Sequence, residues 1–536
     1  MSRPSSGALA GTLTLIRHIV RRDRFRLIIW VAVPVFLITS TYSAYEGLYP
    51  TVESRQGLQV QMGASTSLTL LYGPAFDLTN AGGFVAWRIG LYTALVLSIF
   101  AVLTVVRQTR AEEDAGRAEM LASGVVGRYA MLTAALTVVV GTAAIAGLLI
   151  AGILTTMGAD LVGALALGAA AAACAAVFAA VAAVAVQLGS YSRTANGIAL
   201  GVLGFFFLLR GWGDATDRIW LSWLSPMGWV SQIRAFAGNR WEVFGLFAGL
   251  FVVLIVTAGL LVRQRDVGLG LLKPREGRAD APASLGGVFG LAWRLQRGLL
   301  LGWAVAFVIF GLILGSLTTA IEDLIGDNEQ IRQAIERMGG TGQMAVLFVA
   351  GILPIIAVIA VLYGVGAMLR TRTEETESRL EPLLATPVSR WRWLGSHLLM
   401  ALGGSALLVI LGGGAVAAVA SASVPEETLT FLDAFKGALI QIPATWLIVA
   451  ITAALVGIAP RLAGLGWAAA GVVLALTWLG PALGLPDAAL KISPFEHLPK
   501  VPGHAVTALP LLIISAGVVA LIAIAGIGLR RRDIAV

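Results

Sequence analysis

Two stretches of this chain carry charged side chains at spacings that could do chemistry. Thr109 to Arg128 reads TRAEEDAGRAEMLASGVVGR and Thr371 to Arg390 reads TRTEETESRLEPLLATPVSR. Nine of twenty aligned positions agree, where unrelated segments would agree at about one or two. Each copy sets a glutamate four residues before an arginine, Glu113 to Arg117 and Glu375 to Arg379, the favourable order for a pair on one helix. Glu112 with Glu119, and Glu374 with Glu381, lie seven apart and share another face of such a helix. Leu121 and Leu383 close the two motifs. The chemistry on offer is recognition by ion pairs and charge-assisted hydrogen bonds. The plain alternative is a solvated loop helix held by its own i,i+4 pairs, which are worth only about 0.2–0.5 kcal/mol each. Self-solvation gives no reason for the same element to recur at the same place in both halves of a chain.

Other chemistries lack their residues. The sequence contains no GxxxxGK[ST] phosphate loop, no HExxH metal pair and no GxSxG nucleophile elbow. His18, His397, His497 and His504 have no ligand or triad partner at a telling spacing, and Cys174 sits in an alanine-rich run, so no metal site is expected. Ion-coupled carriers place charges deep in the membrane. Here Arg88 and Arg210 come nearest to that depth, and each lies beside a tryptophan at an outer boundary, where snorkelling accounts for it.

The elements that must position the two motifs are membrane helices. With 536 residues, 58% hydrophobic and 13% charged, and a mean hydropathy of +0.86, the chain is an all-α polytopic membrane protein. Its apolar runs do not alternate as barrel strands would. Basic residues flank the spans and form no soluble basic face, so nucleic acid is not an expected partner. Six spans precede the linker KPREGRADAPAS and six follow it. The expected domains are residues 1–266, a cytoplasmic linker 267–285, and residues 286–536. Basic amphipathic stretches, Ala8 to Asp23 and Val288 to Arg297, are expected to lie in the interface before each first span. Each motif follows the second span of its half. The fourth span, Leu161 to Val186, is mostly Ala and Gly and belongs inside the bundle. The eleventh is expected over Leu462 to Leu483. Short outer helices are expected at Ser54 to Met62, weakened by Gly57, and at Asp327 to Met338. Trp212, Trp220, Trp223 and Trp229 read as an interfacial belt. Smaller matches keep the register: Ser225-Pro226 answers Ser493-Pro494, and Arg265-Asp266-Val267 answers Arg532-Asp533-Ile534.

An even number of spans per half makes the repeats parallel. Placing both termini, the linker and both motifs in the cytoplasm puts 27 of the 38 basic residues inside, as the positive-inside rule requires. A cleaved signal peptide competes with this reading of the N-terminus. The second half opens in the same way, with Arg297 to Trp303 spaced as Arg24 to Trp30, and that speaks against cleavage.

The two EE-x3-R-x-E-x-L elements at Glu112 to Leu121 and Glu374 to Leu383, the amphipathic stretch opening each half and the Ser-Pro before each sixth span together resemble the permease subunits of type-2 ABC exporters, in the fused form of the actinobacterial tetronasin or polyketide-antibiotic exporters. The resemblance covers nearly the whole chain. It implies that the repeated element is a coupling helix docking on a separate ATPase subunit, through Glu112, Glu113, Arg117, Glu119 and Leu121 in one half and Glu374, Glu375, Arg379, Glu381 and Leu383 in the other. It further implies two copies of that subunit, which would bind the ATP and magnesium, with no cofactor in this chain. The setting would be a bacterial plasma membrane. The first copy departs from the family form, with Gly124-Val125-Val126 where the second has Thr386-Pro387-Val388. The expected substrate is a hydrophobic or amphipathic small molecule passing between the two halves in contact with lipid. Phe205, Phe206 and Phe207 on the fifth span and Trp478 on the eleventh are the candidate path residues, with core or lipid packing as their alternative reading. An ATP-independent secondary transporter is the alternative function, and a membrane-embedded enzyme ranks last for want of a catalytic constellation.

Overall fold

The computed structural model describes residues 7–64, 66–117, 120, 126–216, 218–265, 268–272, 280–282, 285–318, 344–425, 427–478, 480 and 485–533. Regular structure among them is helical. The chain divides into two compact units, Met1–Glu276 and Gly277–Val536. The first holds α1 (Thr12–Leu48), α2 (Ala81–Asp114), α3 (Ala130–Thr156), α4 (Leu161–Leu188), α5 (Ser192–Ala215) and α6 (Trp241–Gln264). The second holds α7 (Val288–Ser316), α8 (Met344–Thr376), α9 (Arg390–Ser423), α10 (Phe431–Ile458), α11 (Leu465–Trp478) and α12 (Ala508–Arg531). Eleven of these are long and apolar enough to cross a bilayer. The exception is α11, whose 14 residues reach only about 21 Å against a core of about 30 Å. Half of the remainder of its expected span, including all but one residue on the C-terminal side, falls outside the described residues.

The amphipathic stretches are not separate interfacial helices, contrary to expectation. Thr12 to Leu48 is one unbroken helix, and so is Val288 to Ser316. No proline stands between the basic start and the apolar run in either, so nothing forces the backbone to turn. Gly57 likewise fails to interrupt the helix Val52–Ala64. The segment Asp327 to Met338 lies outside the described residues.

In the first unit α4 is the most enclosed helix, as its small side chains require. It crosses α3 where Gly147 faces Gly168, so closely that a Cβ on Gly168 would lie 2.1 Å from the Gly147 carbonyl oxygen. Any side chain there would push the helices apart and forfeit the dispersion contacts that hold membrane helices together. In the second unit α8 is the most enclosed. Cys174 is buried against Ser98 and Met227.

Each Ser-Pro pair starts a short helix before the sixth helix of its unit. Ser225 Oγ accepts from the amides of Met227 and Gly228 and donates to the Phe206 carbonyl of α5 at 2.8 Å. Ser493 Oγ accepts from the Phe495 amide and meets Thr477 Oγ of α11 at 2.9 Å. Serine caps and proline at the first helical position supply what a helix start leaves unmet. Trp229 is not part of a surface belt. It is buried, with Nε1 donating to the Trp223 carbonyl at 2.6 Å, while Trp212 and Trp220 are exposed.

Candidate functional site

Helix α2 breaks at Thr109, where φ is −124° and ψ −83°, and resumes for one turn over Arg110–Asp114. Helix α8 runs unbroken through Glu374 and Glu375 to Thr376. Both are then stopped by a left-handed residue at the same position of the repeat, Gly116 at φ 69° and Ser378 at φ 54°. The Gly116 amide donates to the Glu113 carbonyl at 2.9 Å. The Ser378 amide donates to the Glu375 carbonyl at 3.2 Å and the Arg379 amide to that of Glu374 at 2.9 Å, the double closure of a Schellman motif.

This turn undoes the expected i,i+4 pairs. Arg117 bonds Glu112 at 2.6 Å instead of Glu113, and Arg379 meets Glu377 at 2.5 Å instead of Glu375. It also separates Glu374 from Glu381, which lies on the next short helix, Leu380–Leu384, and is exposed. In that helix Leu380 is buried and Leu383 packs against the core of its unit. Glu119 and Leu121 lie outside the described residues.

The paired glutamates are turned into the protein, which corrects the picture of a helix solvated on all sides. Arg265, just past α6, grips Glu113 with both terminal nitrogens, at 2.8 and 2.6 Å. Arg532, just past α12, grips Glu375 in the same two-pronged way. The first arginine of each motif completes the set: Arg110 lies 2.6 Å from Glu113 and Arg372 3.1 Å from Glu375. Arg110 is fully buried, and its Nη2 also donates to the Ser190 carbonyl at the end of α4 at 2.7 Å. Such paired charges tolerate burial because each oxygen has a donor.

The other glutamate of each pair ties the motif to a different neighbour. Glu112 accepts from Arg22 of α1 at 3.0 Å. Arg22 also donates to Gln108 at 2.6 Å, and buried Asp23 accepts from Arg107 at 2.7 Å and from Gln108. In the second unit Glu374 accepts from Trp393 Nε1 of α9 at 3.2 Å and faces His397 Nε2 at 3.2 Å. His397 Nδ1 lies 3.5 Å from Gln296 Nε2 of α7. His397 thus bridges a carboxylate of α8 and an amide of α7. Asp23 and Gln296 stand at the same place in the two repeats.

Sequence reasoning missed His397, Trp393, Arg265 and Arg532 as members of these clusters. The matching Arg-Asp at the end of each half was the available signal for the last two. Arg210 was misread. It is fully buried and does not snorkel: it pairs with buried Asp214 at 3.2 Å, donates to the Leu70 carbonyl at 3.0 Å and covers the Phe207 ring at 5.1 Å. The helix Thr66–Tyr72 folds back and offers its unpaired terminal carbonyls, a contact that residues 140 apart in the chain do not advertise.

Of the path candidates, Phe205 and Trp478 are exposed, while Phe206 and Phe207 pack partly against the core of the first unit. Phe205 and Phe206 meet edge to face at 5.5 Å. Trp478 belongs to the other unit. No group of three metal-ligating side chains occurs among the described residues.

Residues 17–263 and 285–530 match the family model described as the C-terminal domain of the multidrug efflux system permease Rv1217c. Over 525 residues the chain is 41% identical to the multidrug efflux system permease protein Rv1217c of Mycobacterium tuberculosis (strain ATCC 25618 / H37Rv), covering 98% of this chain and 95% of that one. A chain with this helical membrane architecture and this extent of identity belongs to the Rv1217c family of multidrug efflux permeases.

Proposed function

We propose that this protein is the membrane-spanning subunit of an ATP-driven exporter that moves amphipathic or hydrophobic compounds outward across a bacterial plasma membrane. Two copies of a separate ATPase subunit supply the energy, since the sequence holds no phosphate loop. In this reading α11 extends to complete twelve spans in two parallel repeats, with both termini and both charged motifs in the cytoplasm.

The observation that carries the reading is the repeated clamp at the end of the second helix of each unit. The Glu113–Arg265 and Glu375–Arg532 pairs bind the motif to the end of the sixth helix. A push on the exposed turn beyond the clamp is thereby delivered to two membrane helices at once. The glutamates act as the lock, and the docking surface is the exposed rim: Gly116 and Arg117 in one unit, Arg379, Glu381, Pro382 and Thr386 in the other. The efflux role of the relative supports the same reading.

The test is purification in mild detergent. A soluble protein bearing a phosphate-binding loop should accompany the chain at two copies per permease. Reversing the rim charges, Arg379→Glu with Glu381→Lys, should weaken that association while insertion is normal. Recovery of the chain alone, together with proton-driven transport in liposomes, would instead establish the secondary transporter.

A further inference from the structure

At the end of α2 remote from the charged motif, the first unit contains a small cleft open to its surroundings. Tyr72, Phe76, Trp87, Leu167 and Val230 form apolar and aromatic walls, and Arg234 stands among them. Part of the wall is a single π-helical turn, Ala86–Gly90, inside α2, a local widening that recurs at functional sites.

The Arg234 guanidinium stacks over the Phe76 ring at 4.2 Å. Its Nε is buried without a hydrogen-bond partner, and among the described residues no carboxylate lies within ion-pair distance. Asp77, which also lines the cleft, spends both oxygens on Thr79 and Asn80 of its own turn. Burial, and then the nearby positive charge of Arg240, push the Arg234 guanidinium below its ordinary pKa, though an arginine remains charged at neutral pH.

The backbone is committed to this placement. Arg234, Phe236 and Asn239 all have positive φ, at 53°, 63° and 46°, a cost borne only where the surroundings enforce it. Phe236 supplies the enforcement by filling a slot left by Gly82 of α2 and Gly163 of α4, where a Cβ would come within 2.5 and 2.3 Å of its ring. The Phe236 amide is held by Asn239 Oδ1 at 2.9 Å. The second unit has a cleft beside its own Ser-Pro turn, lined by Gln441, Phe495, Leu498 and Lys500. There the cation is answered, with Lys500 3.6 Å from Glu496.

We infer that the cleft of the first unit binds an amphipathic anion, its carboxylate or phosphate on Arg234 and its apolar or ring-bearing body against Tyr72, Phe76 and Trp87. A half-buried guanidinium with an unused donor matches a planar oxyanion, and aromatic walls suit a flat apolar body. The anion can be a free aromatic acid or the headgroup of an anionic lipid. Binding here stands independently of the transport reading.

The test uses the full chain in nanodiscs of phosphatidylcholine, with tritiated 2-naphthoate and the neutral 2-naphthamide as probes. Wild type should bind the naphthoate at least about tenfold more tightly, the step expected for one charge-assisted contact. Arg234→Gln should lose the preference and Arg234→Lys should keep part of it, which separates charge from loop geometry. Ala237→Trp, in the lining of the cleft, should weaken both probes, and Lys500→Gln should alter neither. Competition by added phosphatidylglycerol that depends on Arg234 identifies a lipid headgroup as the source. Its absence identifies a soluble acid. Equal affinity for the two probes in wild type, or a preference that survives Arg234→Gln, overturns the inference.

Discussion

Arg532 holds Glu375 across 157 residues of chain with both terminal guanidinium nitrogens, and the carboxylate it holds is almost fully buried. Removing one partner of a buried pair strands the other charge, at a cost of about 3–5 kcal/mol. Arg532→Gln and Glu375→Gln should each lower the thermal unfolding midpoint in detergent by several degrees. The double change should recover only part of the loss, because Arg372, 3.1 Å from Glu375 and partly exposed, then loses its carboxylate partner. Arg265 and Glu113 should behave alike in the single changes, with less recovery in the double, because fully buried Arg110 then loses its Glu113 partner. The exposed Arg379–Glu377 pair is the control, worth under about 1 kcal/mol.

The left-handed stop is made by glycine in one copy and serine in the other. A side chain at positive φ is strained, so Ser378→Gly should stabilise the second unit by about 0.5–1 kcal/mol. Gly116→Ala should destabilise the first by about 1 kcal/mol. Scanning fluorimetry reads both, and a fall in stability for Ser378→Gly would count against the turn as drawn.

Thiol labelling reports which face of the element is free. The only cysteine, Cys174, is buried, so the background is low. Thr386→Cys should react quickly with a hydrophilic maleimide once membranes are opened, whereas Leu380→Cys, six residues earlier and buried, should not. In sealed cells Gln333→Cys should react and Thr386→Cys should not. Labelling of both from the same side would overturn the orientation proposed above.

Phe206→Ala and Trp478→Ala should change drug resistance or substrate-stimulated ATPase activity while expression holds. Phe206 packs partly on the core and its loss also costs some stability. Trp478 is exposed and reports contact more directly. Unchanged transport of every compound tested would remove both from the path.

The helices were legible because a bilayer demands long apolar runs, and the repeat because two copies of a charged motif stand out in a charge-poor chain. The direction of the charges was not. Glu113 has a ready partner four residues on, and nothing local says that Gly116 will turn the chain away before the pair can form. The partner that grips both of its oxygens, Arg265, comes 152 residues later. Arg210 misled for a related reason. A tryptophan two residues on implies an interface, while the carbonyls that receive the guanidinium come from a helix far back in the sequence. The extent of α1 was misjudged because a change in polarity was taken for a change in direction, and a helix can change its surroundings without bending.

Asp23 in the first unit and Gln296 in the second occupy one position of a duplicated plan, yet one is a carboxylate among arginines and the other an amide that touches an imidazole. A transporter assembled from two identical subunits must write every change into both ends at once. One polypeptide carrying both copies is released from that symmetry, and here the release is visible as an ionic latch at one end and a histidine-centred latch at the other.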